Sequence, residues 1–300
     1  MKGIILAGGN GTRLYPSTSI QSKQLLPIYD KPMIYYPLSL LMRCGIKDIL
    51  IISTSQDLPN FQKLLKDGSQ IGLNLQYKNQ DRPEGLAQAF IIGEEFIAGD
   101  NACLILGDNL FHGEFDVFRE TIAKQKNSKD GLKARVFGQV VSDPERYGVV
   151  EIEEKSGKVL SIEEKPKNPK SNLAIPGLYV FDSSVCERAK KQKPSPRGEL
   201  EITDLMLSYL EEGTLGVEVI TRGMTWLDTG TPQSLLEASN FIAAIEQRSG
   251  QKIACIEEVA YRSKFIDEKQ LTQIVEMMPK SSYKSYLVDL LSSLILNKHV

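Results

Sequence analysis

The sequence has little histidine, little cysteine and no long apolar run, and each shortage removes a class of chemistry. Histidine occurs twice in 300 residues, at His112 and His299. A Ser-His-Asp triad or a histidine-rich zinc site would have to rest almost wholly on His112, because His299 is the penultimate residue. The four cysteines, Cys44, Cys103, Cys186 and Cys255, are far apart with no Cys-x-x-Cys spacing, which argues against a zinc knuckle or a disulfide framework and for buried thiols. Before Gly8 and Gly9 there is one lysine and a run of only four apolar residues, Ile4 to Ala7. That run is too short for the apolar core of a secretion signal, and no later run is long enough to cross a bilayer. The cytoplasm is the expected compartment and no membrane partner is expected. Net charge is −2 with the signs interspersed, so no electrostatic footprint for nucleic acid is visible. Any chemistry must rest on Asp, Glu, Lys and Arg.

What is present is an ordinary globular composition, 41% hydrophobic and 25% charged, on a chain long enough to bury a sizeable core. "GIILA" (3 to 7), "DILIIST" (48 to 54), "LNLQYK" (73 to 78) and "NACLILGD" (101 to 108) read as strands bounded by turn signals. Between them, "PMIYYPLSLLMRCG" (32 to 45), "LPNFQKLLKDG" (58 to 68) and "GLAQAFIIGEEF" (85 to 96) carry apolar residues at helical spacing. This rhythm predicts an α/β fold with a mostly parallel sheet flanked by helices. After Asp108, "RVFGQVV", "YGVVEIEE", "KVLSIEEKP" and "AIPGLYVFD" follow one another with turns between several of them, which predicts an added mixed or antiparallel region. A helical C-terminal extension follows. The expected organisation is one α/β domain over 1–250 and a dependent helical extension over 251–300.

The first chemical signal is the stretch "LAGGNGTRL". Gly8, Gly9 and Gly11 allow a sharp turn after a strand, and successive N–H groups of such a turn can surround an anion. The same glycines also serve a plain strand-to-loop turn. A Walker A loop would need Gly-Lys-Ser/Thr where Gly11-Thr12-Arg13 stands, and a dinucleotide fingerprint would need glycine at Leu14. Arg13 and Lys23, with no acid between them, suit a polyphosphate, one as a planar fork and the other as a point charge. A second signal is the pair Asp108 in "LILGDN" and Asp228 in "WLDTGT". Either each caps a turn, or the two meet in space as oxygen ligands of the kind Mg²⁺ takes.

"LAGGNGTRL" with "SKQLLPIYDKPMIYYPL", continued by "GLAQAFIIGEEF", "LGDN", "DPERYGVVE", "EEKP", "GELEITD" and "WLDTGT", resembles the sugar-phosphate nucleotidyltransferases, and most of all their thymidylyltransferase branch. The resemblance runs through nearly the whole chain in order, and it implies that the domain over 1–250 has a nucleotide-binding part over about 1–110 and a sugar-binding part over about 111–230. It implies a Rossmann-like fold and Mg²⁺-dependent attack of glucose 1-phosphate on the α-phosphate of dTTP, giving dTDP-glucose and pyrophosphate, the first step of dTDP-L-rhamnose-type biosynthesis. Such a nucleophile is already a dianion near neutral pH and needs no general base. By resemblance Arg13 holds the leaving phosphates with the Gly8 to Thr12 backbone, and Lys23 stabilises the leaving group. Asp108 and Asp228 bind the metal, and Lys165 grips the sugar phosphate. Gln80 and Gly85 are the base-reading positions, Gln24 lies near the ribose, and Asn109, Gly148, Glu164, Ile175, Tyr179 and Arg197 face the sugar.

Departures from the family pattern are Pro176, where a threonine or similar residue is expected, His112 in place of an aromatic, and Asn10 in place of serine. The resemblance also implies a homotetramer with a second nucleotide-sugar site involving Arg222, Glu258 and Arg262, for feedback by a dTDP-sugar such as dTDP-rhamnose. Three alternatives compete. A silent binding or regulatory subunit predicts loss of Arg13, Lys23 or an aspartate, and all are present. A uridylyltransferase is the nearest alternative among enzymes, because thymine and uracil differ by one methyl, worth about 0.8 kcal/mol when buried. A dehydrogenase is opposed by the missing third glycine.

Overall fold

The structure, a computed structural model, describes residues 1–9, 11–127 and 130–297, with side chains described to Ser293. Asn10 and His299 lie outside the described residues. The strands in chain order are β1 (Lys2–Leu6), β2 (Pro27–Ile28), β3 (Lys31–Pro32), β4 (Asp48–Ser53), β5 (Asn74–Asn79), β6 (Ala102–Leu106) and β7 (Asn109–His112). They continue with β8 (Ala134–Val140), β9 (Gly148–Ile152), β10 (Val159–Glu164), β11 (Leu173–Ala174), β12 (Leu178–Phe181), β13 (Leu215–Val219) and β14 (Thr225–Asp228). Among the described residues, ten of these form one sheet in the order β10-β9-β11-β8-β12-β6-β1-β4-β5, with β13 beside β8. The β5-β4-β1-β6 part is parallel, whereas β12 runs antiparallel to both β6 and β8. The parallel half and the antiparallel addition both match the rhythm read from the sequence.

Alternation along the strands divides the core between the two faces of the sheet. Ile5, Ile49, Ile51, Cys103 and Ile105 join one apolar cluster, and Ile4, Leu6, Leu50, Leu104 and Phe181 join the other. All four cysteines are buried.

Two expected elements are broken. The helix expected over 85–96 is two short helices, Gln88–Ile92 and Glu94–Ile97, separated by Gly93, where a β-carbon would lie 2.9 Å from the Ala89 carbonyl oxygen. The strand expected in "AIPGLYVFD" is split into β11 and β12 because Pro176 has no N–H for a ladder. Elements that went unread are the helices Asp116–Asn127 and Val185–Lys191, the β2–β3 pair, and the small antiparallel sheet of β7 with β14, whose register sets Asn109 opposite Asp228.

The helices Ile256–Arg262, Glu268–Met277 and Ser282–Asn297 close the chain. Ile256, Ala260, Leu271, Val275 and Leu287 belong to the same apolar cluster as Ile5 and Ile51. Glu257 is buried in this layer, and its Oε2 accepts a 2.6 Å hydrogen bond from the Tyr283 hydroxyl. Burial pushes its carboxyl above the ordinary carboxylate range, with the Tyr283 bond acting the other way. A carboxyl raised in this way contributes stability that is fully present below its unfolded pKa and lost as pH rises through the folded one. Glu257→Gln should therefore gain in Tm relative to the parent on going from pH 4 to pH 8. A Tm difference that stays constant over that range in thermal melts would contradict it.

Candidate active site

Chain order along the sheet reverses at β1, which has β4 on one side and β6 on the other, and open α/β sheets place ligands beyond the carboxyl ends of strands at such a point. Leu6 and Leu106 are in register, so the Gly8-Gly9 turn and the Gly107-Asp108 turn emerge side by side. Gly9 and Gly11 have φ of +95° and +54°, and a β-carbon on Gly8 would lie 2.4 Å from Gln80 Oε1. The glycines thus satisfy both a left-handed turn and close approach to a neighbouring side chain. Beyond them lies a cavity of about 180 Å³ lined by Gly8, Gly9, Gln24, Gln80, Gly85 and Asp108 among others.

Buried Gln80 follows β5, and its Nε2 donates to Gln88 Oε1 at 2.6 Å. Gly85 has φ +105°, and a β-carbon there would be 2.3 Å from the Leu200 carbonyl oxygen. The approach is real pairing: Leu200 N donates to Glu84 O at 2.7 Å and Ala87 N donates to Leu200 O at 3.1 Å. Through these bonds the loop of Gly85 is fixed to the segment bearing Arg197, Glu199 and Glu201.

Asp108 lines both this cavity and a second one of about 420 Å³. Its carboxylate is ion-paired to the nearly buried Lys23 and accepts from Asn109 Nδ2 at 2.9 Å. The Thr229 hydroxyl donates to the Asp108 carbonyl at 2.9 Å. Asp228 lies across the β7–β14 ladder. Burial first, then the Asp108 charge, push its carboxyl above the ordinary range, while Lys23, Arg13 and Arg146 oppose the shift. A β-carbon on Gly230 would lie 3.0 Å from Arg13 Nη2 and 3.2 Å from Asp228 Oδ1, so those two groups crowd the same glycine. The arrangement interleaves two carboxylates with cations.

The far wall of the larger cavity carries Gly148, Glu164, Lys165, Ile175, Tyr179 and Arg197. Glu164 Oε2 accepts from the Thr203 hydroxyl at 2.6 Å, and Lys165 Nζ sits 3.2 Å from Glu164 Oε1. Lys165 holds a left-handed φ of +43°, an uncommon conformation that its N–H secures by donating to Tyr147 O at 3.0 Å. Arg197 Nη2 donates to Glu201 Oε1 at 2.8 Å. Asn109 differs from its neighbours in being spent on the protein. Its Oδ1 accepts from Gly177 N at 3.0 Å and Trp226 Nε1 at 2.7 Å, and its amide nitrogen holds Asp108.

A fold with paired carboxylates and a glycine turn at its switch point is what the comparison with known families finds as well: residues 2–245 match the nucleotidyl transferase family. The chain belongs to that family. This transferase is 52% identical over 291 residues, 97% of its length and 99% of the other's, to a glucose-1-phosphate thymidylyltransferase of Neisseria meningitidis serogroup A. It is also 52% identical, again over 97% of its length and 99% of the other's, to a protein of the same name from Mycobacterium tuberculosis. A solved structure described as a glucose-1-phosphate thymidylyltransferase from Bacillus anthracis in complex with a sucrose is 42% identical. It superposes with a TM-score of 0.74 over 80% of this chain and 94% of that one. A UDP-glucose pyrophosphorylase solved with UDP-glucose is 26% identical, with TM-score 0.70 over 82% of this chain and 99% of that one. The transferase is thus an enzyme of nucleotidyl transfer.

Of the residues singled out in the sequence, the two cavities collect Gly8, Gly9, Arg13, Gln24, Gln80, Gly85, Asp108, Asn109, Gly148, Glu164, Lys165, Ile175, Tyr179, Arg197 and Asp228. Gly11, Thr12 and Lys23 line neither; Lys23 reaches the site through Asp108. Arg146, Tyr147, Thr203 and Trp226 line the larger cavity and were not named from sequence, although all stand in or beside quoted motifs. His112 is elsewhere, in a third cavity of about 580 Å³ that also contains Glu258 and Arg262 but not Arg222. Arg222 is exposed on the turn whose next residue, Gly223, packs against Gly113 of that cavity.

Gly85 offers a sharp test. Gly85→Ala adds both a strained φ and a clash with Leu200 backbone, so the enzyme should lose about tenfold or more in kcat/KM, with a Tm lower by several degrees. Parent-like kinetics would show that the 80–87 loop is free to move off Leu200.

Proposed function

We propose that this transferase makes dTDP-glucose, an oxygen of α-D-glucose 1-phosphate attacking the α-phosphate of dTTP in line as pyrophosphate leaves. The observation that carries this reading is the meeting of two cavities at Asp108, one walled by the glycine turn and Gln80, the other by Lys165, Glu164 and Arg197. A triphosphate in the first and a sugar phosphate in the second bring their reacting groups to the two aspartates. Among the described residues no histidine lines either cavity, which fits a dianionic nucleophile that requires orientation and charge neutralisation rather than a base.

In this reading the N–H groups over Gly8, Gly9, Gly11 and Thr12 and the Arg13 fork hold the leaving phosphates. Lys23 exchanges its Asp108 partner for charge developing on the leaving group. The Gln80 carboxamide offers one donor and one acceptor to the pyrimidine edge beside Gly85, and Gln24 lies at the ribose. Lys165 and Arg197 turn from Glu164 and Glu201 to the sugar phosphate. Glu164, oriented by Thr203, receives sugar hydroxyls between Gly148, Ile175 and Tyr179. Asn109 orients Asp108 from beneath the sugar. Asp108 and Asp228 present oxygen donors only, adjacent and partly buried, a set that suits Mg²⁺, which takes one or two carboxylates and completes its shell with water and phosphate. These two residues would hold the ion, and when bound it supplies positive charge to the phosphates.

The reading extends to regulation and setting. The 580 Å³ cavity carries Arg43, Arg119, Lys252 and Arg262 with Glu258, whose Oε1 accepts from Arg262 Nε at 2.6 Å. A dTDP-sugar end product such as dTDP-rhamnose, of a dTDP-L-rhamnose-type pathway, suits that cationic lining as a feedback inhibitor, with the enzyme a cytoplasmic homotetramer. Among the described residues no helix is long and apolar enough to cross a membrane. Arg262→Ala should weaken inhibition by dTDP-rhamnose at least about tenfold, with KM for dTTP little changed. Purely competitive inhibition, equal in variant and parent, would place the inhibitor at the substrate cavity instead.

The deciding experiment is pyrophosphate release from dTTP and glucose 1-phosphate with Mg²⁺, run beside UTP and a chelator. Release should depend on Mg²⁺, favour dTTP by a few-fold, and fall about a hundredfold or more in Asp108→Asn. Faster release with UTP would make this a uridylyltransferase. Absence of release with any sugar phosphate would leave a binding role.

A further inference from the structure

Arg146 is a cation of the larger cavity that takes no part in the proposed reaction. It ends the 3₁₀ turn Pro144–Arg146, just ahead of β9. Its Nη1 donates to Asp143 Oδ2 at 2.6 Å, and its guanidinium stands 5.3 Å from the centre of the Tyr147 ring, which packs edge-on against Trp226 at 4.9 Å. Its Nη2 lies 3.5 Å from Asp228 Oδ2, a charge contact without a hydrogen bond. The side chain remains 44% exposed while Asp228 is 19% exposed, so the guanidinium reaches inward from the rim with room to turn.

Of the other cations in that cavity, Lys165 is held by Glu164 and Arg197 by Glu201, while Arg13 approaches Asp228 beside Gly230. The ion pair to Asp228 is made by Arg146. A divalent cation on Asp228 would replace the charge that attracts Arg146 and repel it across a few ångströms of partly desolvated space. The guanidinium would keep its Asp143 and Tyr147 contacts and lose only the looser one. The cavity it then faces is the one that Lys165 and Arg197 line, where an incoming phosphate offers the planar, bidentate partner that arginine matches.

We propose that Arg146 is a switching counter-ion, neutralising Asp228 before the divalent metal arrives and binding the phosphate of the sugar 1-phosphate afterwards. The inference rests on the dTDP-glucose reading above. It makes metal and sugar phosphate mutually favourable, because the contact the metal breaks is the one that keeps Arg146 from the phosphate, and such coupling is reciprocal.

The test uses full-length enzyme and two variants, Arg146→Ala and Arg146→Lys. Mn²⁺ binding is measured by electron paramagnetic resonance without substrates, and steady-state kinetics are measured at saturating Mg²⁺. In Arg146→Ala, Mn²⁺ should bind several-fold more tightly than in the parent, since a competing cation is gone. Its KM for glucose 1-phosphate should rise about tenfold or more while KM for dTTP changes less than about twofold, the loss of one charge-assisted phosphate contact. Arg146→Lys should recover part of the KM. Unchanged Mn²⁺ affinity, or an equal rise in both KM values, overturns the proposal. If the parent itself fails to turn over glucose 1-phosphate with dTTP, the functional reading fails rather than the role of Arg146.

Discussion

Mutual repulsion between Asp108 and Asp228 is the constraint around which the active site is organised. The β7–β14 ladder puts Asn109, the residue after Asp108, opposite Asp228, so the two carboxylates lie near one another at strand ends, partly out of contact with water. A partly desolvated pair of like charges is costly unless cations stand nearby. Lys23 lies on Asp108, Arg146 lies at Asp228, and Arg13 approaches from Gly230. These are cations that a polyphosphate also needs. In the reading proposed above, the protein would thus hold its substrate-binding charge on its own carboxylates until substrate and metal arrive.

The same economy governs rigidity. Asn109 uses both ends of its amide to tie Asp108 to Gly177 and Trp226, so one side chain aligns β7, β14 and the turn before β12. Pro176 fits this arrangement: lacking an N–H, it ends the β11 ladder and leaves the next N–H, that of Gly177, to donate to Asn109. A residue that departs from the family pattern thus takes part in supporting an aspartate.

Much of this was legible in the sequence because it depends on local signals. The parallel strands announced themselves as β-branched runs between turns, and the glycine turn, Asp108 and Asp228 stood in motifs whose order survives folding. What was not legible depended on long-range register. β7 is a four-residue strand with no period of its own, visible only when β14 arrives from more than a hundred residues away. Arg146 went unnamed within "DPERYGVVE" because nothing local says that the 3₁₀ turn brings it to Asp228. The bonds of Asn109 to Gly177 and Trp226 went unread beside its expected sugar contact, since both partners lie far along the chain. His112 stood close to "GDN" in the sequence, yet β7 carries it away from Asn109 to a different cavity.

The C-terminal helices share one apolar cluster with the first strands of the sheet, through Ile256, Ala260, Leu271, Val275 and Leu287 against the layer of Ile5 and Ile51. The consequence appears during synthesis. A nascent chain can pair β1, β4 and β6 and lay the helix Tyr35–Arg43 on them once the first hundred or so residues have emerged, yet the outer side of that helix stays uncovered until Ile256–Arg262 follows. Throughout that interval a greasy surface made of Tyr35–Arg43 and its neighbours is open to other chains. Folding of the amino-terminal sheet and of the segment from Ile256 onward is thereby linked through one shared apolar layer, far in sequence from the residues of the two cavities.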